Sequence, residues 1–260
     1  MISLSNIEKL KIWLDQQADF YNHPKFIESD PIQVPHQFTK LQDIEIIALW
    51  TAILSWGQRP VIIKKAKELV SLMDSSPHDF VVNHQDSDLK PWLGYKHRTF
   101  NANDALYFLH FFKNYYSSND SLENIFFVPN QNENLAEGIN NFRKTFFDQP
   151  IVIERTKKQI SSPTNGSTCK RINMFLRWMV RNDQKRVDFG VWKKIKPSQL
   201  LIPLDVHVDR VARNLGLIER KQTDWKTVLE LTQNLKTLDP IDPIKYDFAL
   251  FGIGVNDLRK

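Results

Sequence analysis

Lys170 and Asp205 are the two side chains whose types, order and surroundings suit breaking an N-glycosidic bond. Displacing a base from deoxyribose passes through a positively charged sugar, which a nearby carboxylate stabilises. A lysine amine can attack that sugar and leave a Schiff base, provided its pKa falls from about 10.4 toward about 7–8. Arg171 and the positive end of a helix are neighbours able to lower it. Asp205 also has a plainer role, as N-cap of a helix from Val206 to Leu215, worth about 1 kcal/mol. One residue can serve both ends.

These groups need elements to hold them. The turn Ser162-Pro163-Thr164-Asn165-Gly166-Ser167-Thr168 is expected to join a helix over Val152–Ser161 to one over Cys169–Arg181, making a helical hairpin. Backbone N–H groups at Gly166, Ser167 and Thr168, with the positive end of the second helix, would seat a phosphate. Lys157, Lys158, Lys170 and Arg171 add charge. An ordinary helix–helix connection would read the same way. In the second helix Ile172, Phe175, Leu176, Met179 and Val180 form an apolar stripe, and Lys170, Arg177 and Arg181 fall opposite it. That basic face is expected to be solvated and, beside the turn, to contact DNA. His207 has no second His or Cys at ligand spacing, so it reads as structural, and no metal site is expected. The single Cys169 excludes a disulfide framework and a four-cysteine zinc or iron–sulfur site.

Most other long segments also read as helices. Asp43 is placed to cap Ile44–Trp56, apolar on nearly all sides and so suited to the centre of a bundle. After Gly57 and Pro60 comes Val61–Met73, with Lys64, Lys65 and Lys67 on its wet side. Asn103 or Asp104 opens Ala105–Tyr116, and Leu135–Phe147 follows. The polar stretches 75–99 and 117–134 read as surface connections. Gly216 closes the helix after Asp205, Thr223 caps Trp225–Leu238, and a last helix from Ile244 ends at Gly252. Strand signals are few, the best of them at 150–153 and 200–202.

With 260 residues and 42% hydrophobic content the chain can bury a large core, and its 17 Phe and 7 Trp make that core ring-rich. A net charge of +5 and a pI near 9.1 suit a polyanion without specifying one. No secretory signal or membrane-length apolar run is present. A soluble cytoplasmic protein is expected.

Leu204-Asp205-Val206-His207-Val208-Asp209-Arg210-Val211 resembles the signature around the catalytic Asp of the helix-hairpin-helix DNA glycosylases. Pro163-x-x-Gly166 followed by Lys170 is similar to the hairpin and catalytic lysine of that superfamily. Ile53-Leu54-Ser55 is similar to its Leu-Leu-Ser segment, with Lys65-Ala66 in the helix beyond. These blocks cover most of residues 43–220. The long interval between lysine and aspartate resembles the archaeal 8-oxoguanine glycosylases more than endonuclease-III-like members. Lys185 lies nearer the shorter spacing, but in a polar loop, so Lys170 is preferred. Lys245–Gly252 resembles an uncharacterised bacterial group near this superfamily. The hairpin departs from the usual Gly-x-Gly, reading Thr164-Asn165-Gly166. Where relatives carry Gln after Leu-Leu-Ser, this chain reads Trp56-Gly57-Gln58, which makes Gln58 the candidate wedge.

The resemblance implies an all-α, two-lobed fold with a cleft between lobes, formed as one unit over 1–260. A helical lobe would occupy about 43–150, the hairpin and catalytic segment 151–220, and C-terminal helices 221–260. It implies base-excision repair: removal of a damaged purine, 8-oxoguanine first, by Lys170 with Asp205, with or without strand cleavage at the abasic site. Gly166, Ser167, Thr168, Arg171, Arg177, Arg181 and Gln58 would contact double-stranded DNA. Trp56, Trp178 or Phe175 are the rings available to line the base pocket, although rings at helical spacing are more often core and Phe175 is read as core. No cofactor, iron–sulfur cluster or membrane is implied, and a monomer is expected. The alternatives are an Asp205-only monofunctional glycosylase, a non-catalytic DNA-binding module, and a helical domain binding a small molecule or protein.

Overall fold

A computed structural model describes residues 4–130, 133–150 and 152–256. Its helices, among the described residues, are α1 (Leu4–Tyr21), α2 (Lys25–Ser29), α3 (Leu41–Leu54), α4 (Arg59–Leu72), α5 (Pro77–Asn83), α6 (Ala102–Tyr116), α7 (Glu123–Phe126), α8 (Ala136–Phe147), α9 (Lys170–Val180), α10 (Val206–Asn214), α11 (Trp225–Leu238) and α12 (Tyr246–Asn256). The strands among them are β1 (Lys96–His97) and β2 (Phe100–Asn101), an antiparallel pair. The protein is mostly α-helical. No described helix is long and apolar enough to cross a membrane.

Two compact units form, and they do not follow chain order. One takes in residues up to Phe26, Pro129–Ala136 and everything from Ser162; the other is Ile27–Val128 with Glu137–Ser161. In the second unit α3 is buried along almost its whole length, as its all-round apolarity requires. Trp50 stacks on Phe108 at 6.0 Å, and Phe108, Phe111 and Phe142 pack on Phe146 at 4.7, 4.6 and 5.7 Å. The buried Glu45 carboxylate accepts from Tyr116 Oη (2.7 Å), Ser121 Oγ (2.6 Å) and Leu122 N (3.0 Å), so its lone pairs replace water with protein donors.

In the first unit α12 packs against α1 and α10. Glycines make the approach possible. A Cβ on Gly252 would lie 2.3 Å from the Tyr21 ring, and one on Gly254 would lie 2.9 Å from His207 Cβ. Gly252 was expected to stop this helix. Instead α12 runs through both glycines, because the packing gained offsets their weak helix propensity. Its start is also later than Ile244, since Pro243–Lys245 forms a 3-10 turn.

Other expectations are corrected in similar ways. Asp43 lies inside the first turn of α3 and accepts from His78 N at 2.8 Å rather than capping. Asn101, not Asn103 or Asp104, caps α6, and Asp224, not Thr223, caps α11. The helix expected over Val152–Ser161 shrinks to a 3-10 turn at Glu154–Lys158. Residues 200–202 form no strand, and neither do 152–153; Ile151 lies outside the described residues. The polar stretch 75–99 holds α5 and a 3-10 segment, and buries Trp92, Tyr95 and His97. The stretch 117–134 holds α7 and buries Leu122 and Phe126; its residues 131 and 132 lie outside the described residues.

Candidate functional site

Buried Pro203 and Leu204 lead an extended chain into Asp205, whose φ and ψ are −109° and −179°. Its Oδ1 accepts from both His207 N (2.9 Å) and Val208 N (3.0 Å). The expected cap is therefore made with one oxygen, and Oδ2 takes no hydrogen bond among the described residues. Asp205 itself is half-exposed. Burial of Val208, Val211 and Ala212 fixes α10 beneath it, and Arg210 Nη2 donates to Gly254 O at 2.6 Å. The carboxylate is thus oriented by backbone and still has a face to offer a ligand.

Lys170 is the first residue of α9. The turn before it is built by local hydrogen bonds: Ser162 Oγ accepts from Thr164 N (3.1 Å) and Ser167 Oγ from Cys169 N (3.2 Å). Gly166 takes the left-handed conformation (φ 72°), and its carbonyl accepts from Trp225 N at 2.9 Å, tying the turn to α11. The amides of Ser167 and Thr168 have no partner among the described residues. Lys170 is half-buried, its Nζ 3.5 Å from Met174 Sδ.

These two groups share a third. Asp247, in the first turn of α12, is 5% exposed and ion-paired with Arg177. Burial pushes its carboxyl up to about 6; Arg177 opposes the rise, the nearby Asp205 carboxylate adds to it, and the Lys170 ammonium opposes it. So charges from α9 and the α10 cap are both felt at one buried carboxyl on α12, and of these charges Arg177 is the one ion-paired with it. Sequence reasoning did not single out Asp247, although an acid inside the apolar run Tyr246–Gly252 was the available signal. His207 packs edge-on against Phe251 with ring centroids 5.9 Å apart, and its buried Nδ1 has no partner among the described residues. No three His, Cys, Asp or Glu side chains group as a metal site among the described residues.

The expected basic face is corrected. Arg177 and Arg181 are only 5% and 3% exposed. Arg177 Nε reaches Asp188 at 3.2 Å; Arg181 reaches Asp183 at 2.8 Å, Asp188 at 3.1 Å and Asp242 at 2.9 Å. Both guanidiniums also lie over the Phe248 ring, at 4.5 and 5.3 Å. Acids from later in the chain have turned an apparent wet face into an internal ion network, so neither arginine is offered to a phosphate. Trp178 is fully buried and so lines no surface pocket, and Phe175 is buried as the core reading has it. Lys185, the alternative lysine, pairs with Asp19 at 2.7 Å. Arg171 is half-buried beside Lys170, and Gln58 is exposed at the N-cap of α4 in the other unit.

No curated protein and no solved structure matches this chain. A family model described as a protein of unknown function (DUF2400) matches residues 30–256, which spans α3 to α12 and takes in Lys170, Asp205 and Asp247 alike. The chain belongs to that family, DUF2400.

Proposed function

We propose that this protein is a DNA glycosylase that excises a damaged purine, 8-oxoguanine first, from double-stranded DNA. The observation that carries the reading is that the Lys170 amine and the Asp205 carboxylate, whose Oδ2 is left without a hydrogen bond among the described residues, both act electrostatically on the same buried Asp247. The unpaired amides of Ser167 and Thr168, with Arg171 close by, supply donors for a phosphate at the mouth of the hairpin-like turn. The lesion nucleotide leaves the stack so that its C1′ reaches Lys170. The neutral amine forms a C1′–N bond as the bond from C1′ to the purine nitrogen breaks. The base leaves with the bonding pair and is protonated. Asp205 stabilises the positive sugar and takes the proton from the new ammonium, after which the sugar ring opens to a Schiff base.

Borohydride added to protein and an 8-oxoguanine duplex is expected to trap a covalent adduct that Lys170→Gln loses. An undiminished adduct in that variant removes Lys170 from the mechanism. A second reading follows from the Asp205 geometry: its cap is held by backbone alone, so Oδ2 can activate a water without help from Lys170. A monofunctional glycosylase would then release base with no trapped adduct, and Asp205→Asn would abolish release while duplex binding persists. Binding with no release across oxidised, alkylated and deaminated duplexes would leave a non-catalytic DNA-binding module.

A further inference from the structure

Arg98 sits at the turn between β1 and β2 in the left-handed region, at φ 54°. Arg98 and Thr99 form the two-residue loop of this hairpin, a turn that takes positive φ at its first position, so the hairpin itself fixes the Arg98 backbone. Its guanidinium lies 4.5 Å above the half-exposed Trp56 ring, which His97 packs edge-on at 6.0 Å. Gly57, at φ 104°, leaves room for the guanidinium: a Cβ there would lie 2.7 Å from Arg98 Nη1 and push that side-chain end aside. Flattened on the indole, Arg98 is exposed, and its donors have no acceptor among the described residues. A guanidinium fork stacked on a ring, with its donors still open, suits a phosphate.

Directly beyond Gly57 begins α4. Arg59, Pro60, Ile63, Lys64 and Lys67 line one side of that helix around a shallow cavity of about 550 Å³, with Ser29 at its edge. Lys64 and Lys67 are exposed and make no ion pair among the described residues, whereas Lys65 is tied to Glu68 at 2.7 Å and Arg59 stands 4.0 Å from Asp30. From Arg59 to Lys67 the helix axis advances about 12 Å. Arg59, Lys64 and Lys67 therefore run along one side of α4 and do not converge on one point, as a single small anion would require.

We infer that the exposed cations of the second unit, Arg98 at the β1–β2 turn and Lys64 and Lys67 on α4, contact a nucleic-acid phosphate backbone, in addition to the Ser167–Thr168 turn. The inference rests on the DNA reading above, and names where on this unit the polyanion is gripped. Arg98 supplies a pre-set fork to one phosphate, while Lys64 and Lys67 neutralise others as point charges.

The test is the salt dependence of binding to a duplex of about 20 base pairs, followed by fluorescence anisotropy between about 50 and 200 mM KCl. The triple variant Arg98→Gln, Lys64→Gln, Lys67→Gln keeps the surface polar and, at position 98, keeps the same backbone demand. Its slope of log K against log salt is expected to fall by about two to three, and its affinity at about 100 mM salt at least tenfold. Lys9→Gln with Lys90→Gln, which removes exposed lysines elsewhere, is expected to leave the slope near wild type. A wild-type slope in the triple variant overturns the inference while the glycosylase reading stands. An equal loss in the Lys9, Lys90 variant also overturns it, by showing a general charge effect. Wild-type protein with no salt-sensitive duplex affinity defeats both readings together.

Discussion

Asp205 does two jobs with two oxygens, and substitutions can separate them. Asparagine caps a helix about as well as aspartate, so Asp205→Asn is expected to melt within about 0.5 kcal/mol of wild type while base release disappears. Asp205→Ala loses the bonds to His207 N and Val208 N and is expected to cost about 1 kcal/mol in addition. Thermal melts beside a base-release assay distinguish the pair. Full activity in Asp205→Asn would reduce the residue to its cap. That cap was legible in the sequence, because an acid ended an apolar run and opened an amphipathic stretch. Asp247 was not, since its importance comes only from the groups that later folding sets around it.

Among the elements, α12 departs most from the expectation. A glycine inside an apolar run normally reads as a helix end, and Gly252 was so placed. The tertiary contact decides otherwise: α1 lies so close that the Tyr21 ring occupies the space of a side chain. Gly252→Ala is expected to destabilise the protein by about 1–3 kcal/mol despite the better helix propensity of alanine, a sign that chemical denaturation would read directly. A stabilised variant would mean α1 does not press on α12. The same lesson holds for α9. Its apolar stripe was read correctly from spacing. Its opposite face was misread, because helical periodicity places Arg177 and Arg181 together but carries no information about Asp188, Asp242 and Asp247.

For the whole molecule, buried carboxylates shape the pH dependence of stability. Asp247 titrates near 6 in the folded protein against about 3.9 unfolded. The native state therefore binds more protons than the unfolded chain between those values, and this group's contribution falls as pH rises from about 4 to about 6. Asp247→Asn, which cannot ionise, is expected to lose that dependence. The stability difference, wild type minus variant, should drop between about pH 4 and pH 6 and level off above, as urea melts across that range would measure. A difference that grew with pH would show that Arg177 holds the Asp247 carboxylate more firmly than burial opposes it.

The helical class, the apolar centre at α3, the Asp205 cap and the Gly216 stop were all set by local pattern. Each follows from periodicity or from a single residue's backbone preference, which act within a few positions. What tertiary structure alone decided was the company each charge keeps. Lys170 and Asp205 come from separate helices, and Asp247 from a third. Arg177 and Arg181 left solvent because acids distant in the chain folded onto them. Coulomb interactions depend on separation in space, and spacing along a chain does not encode that distance.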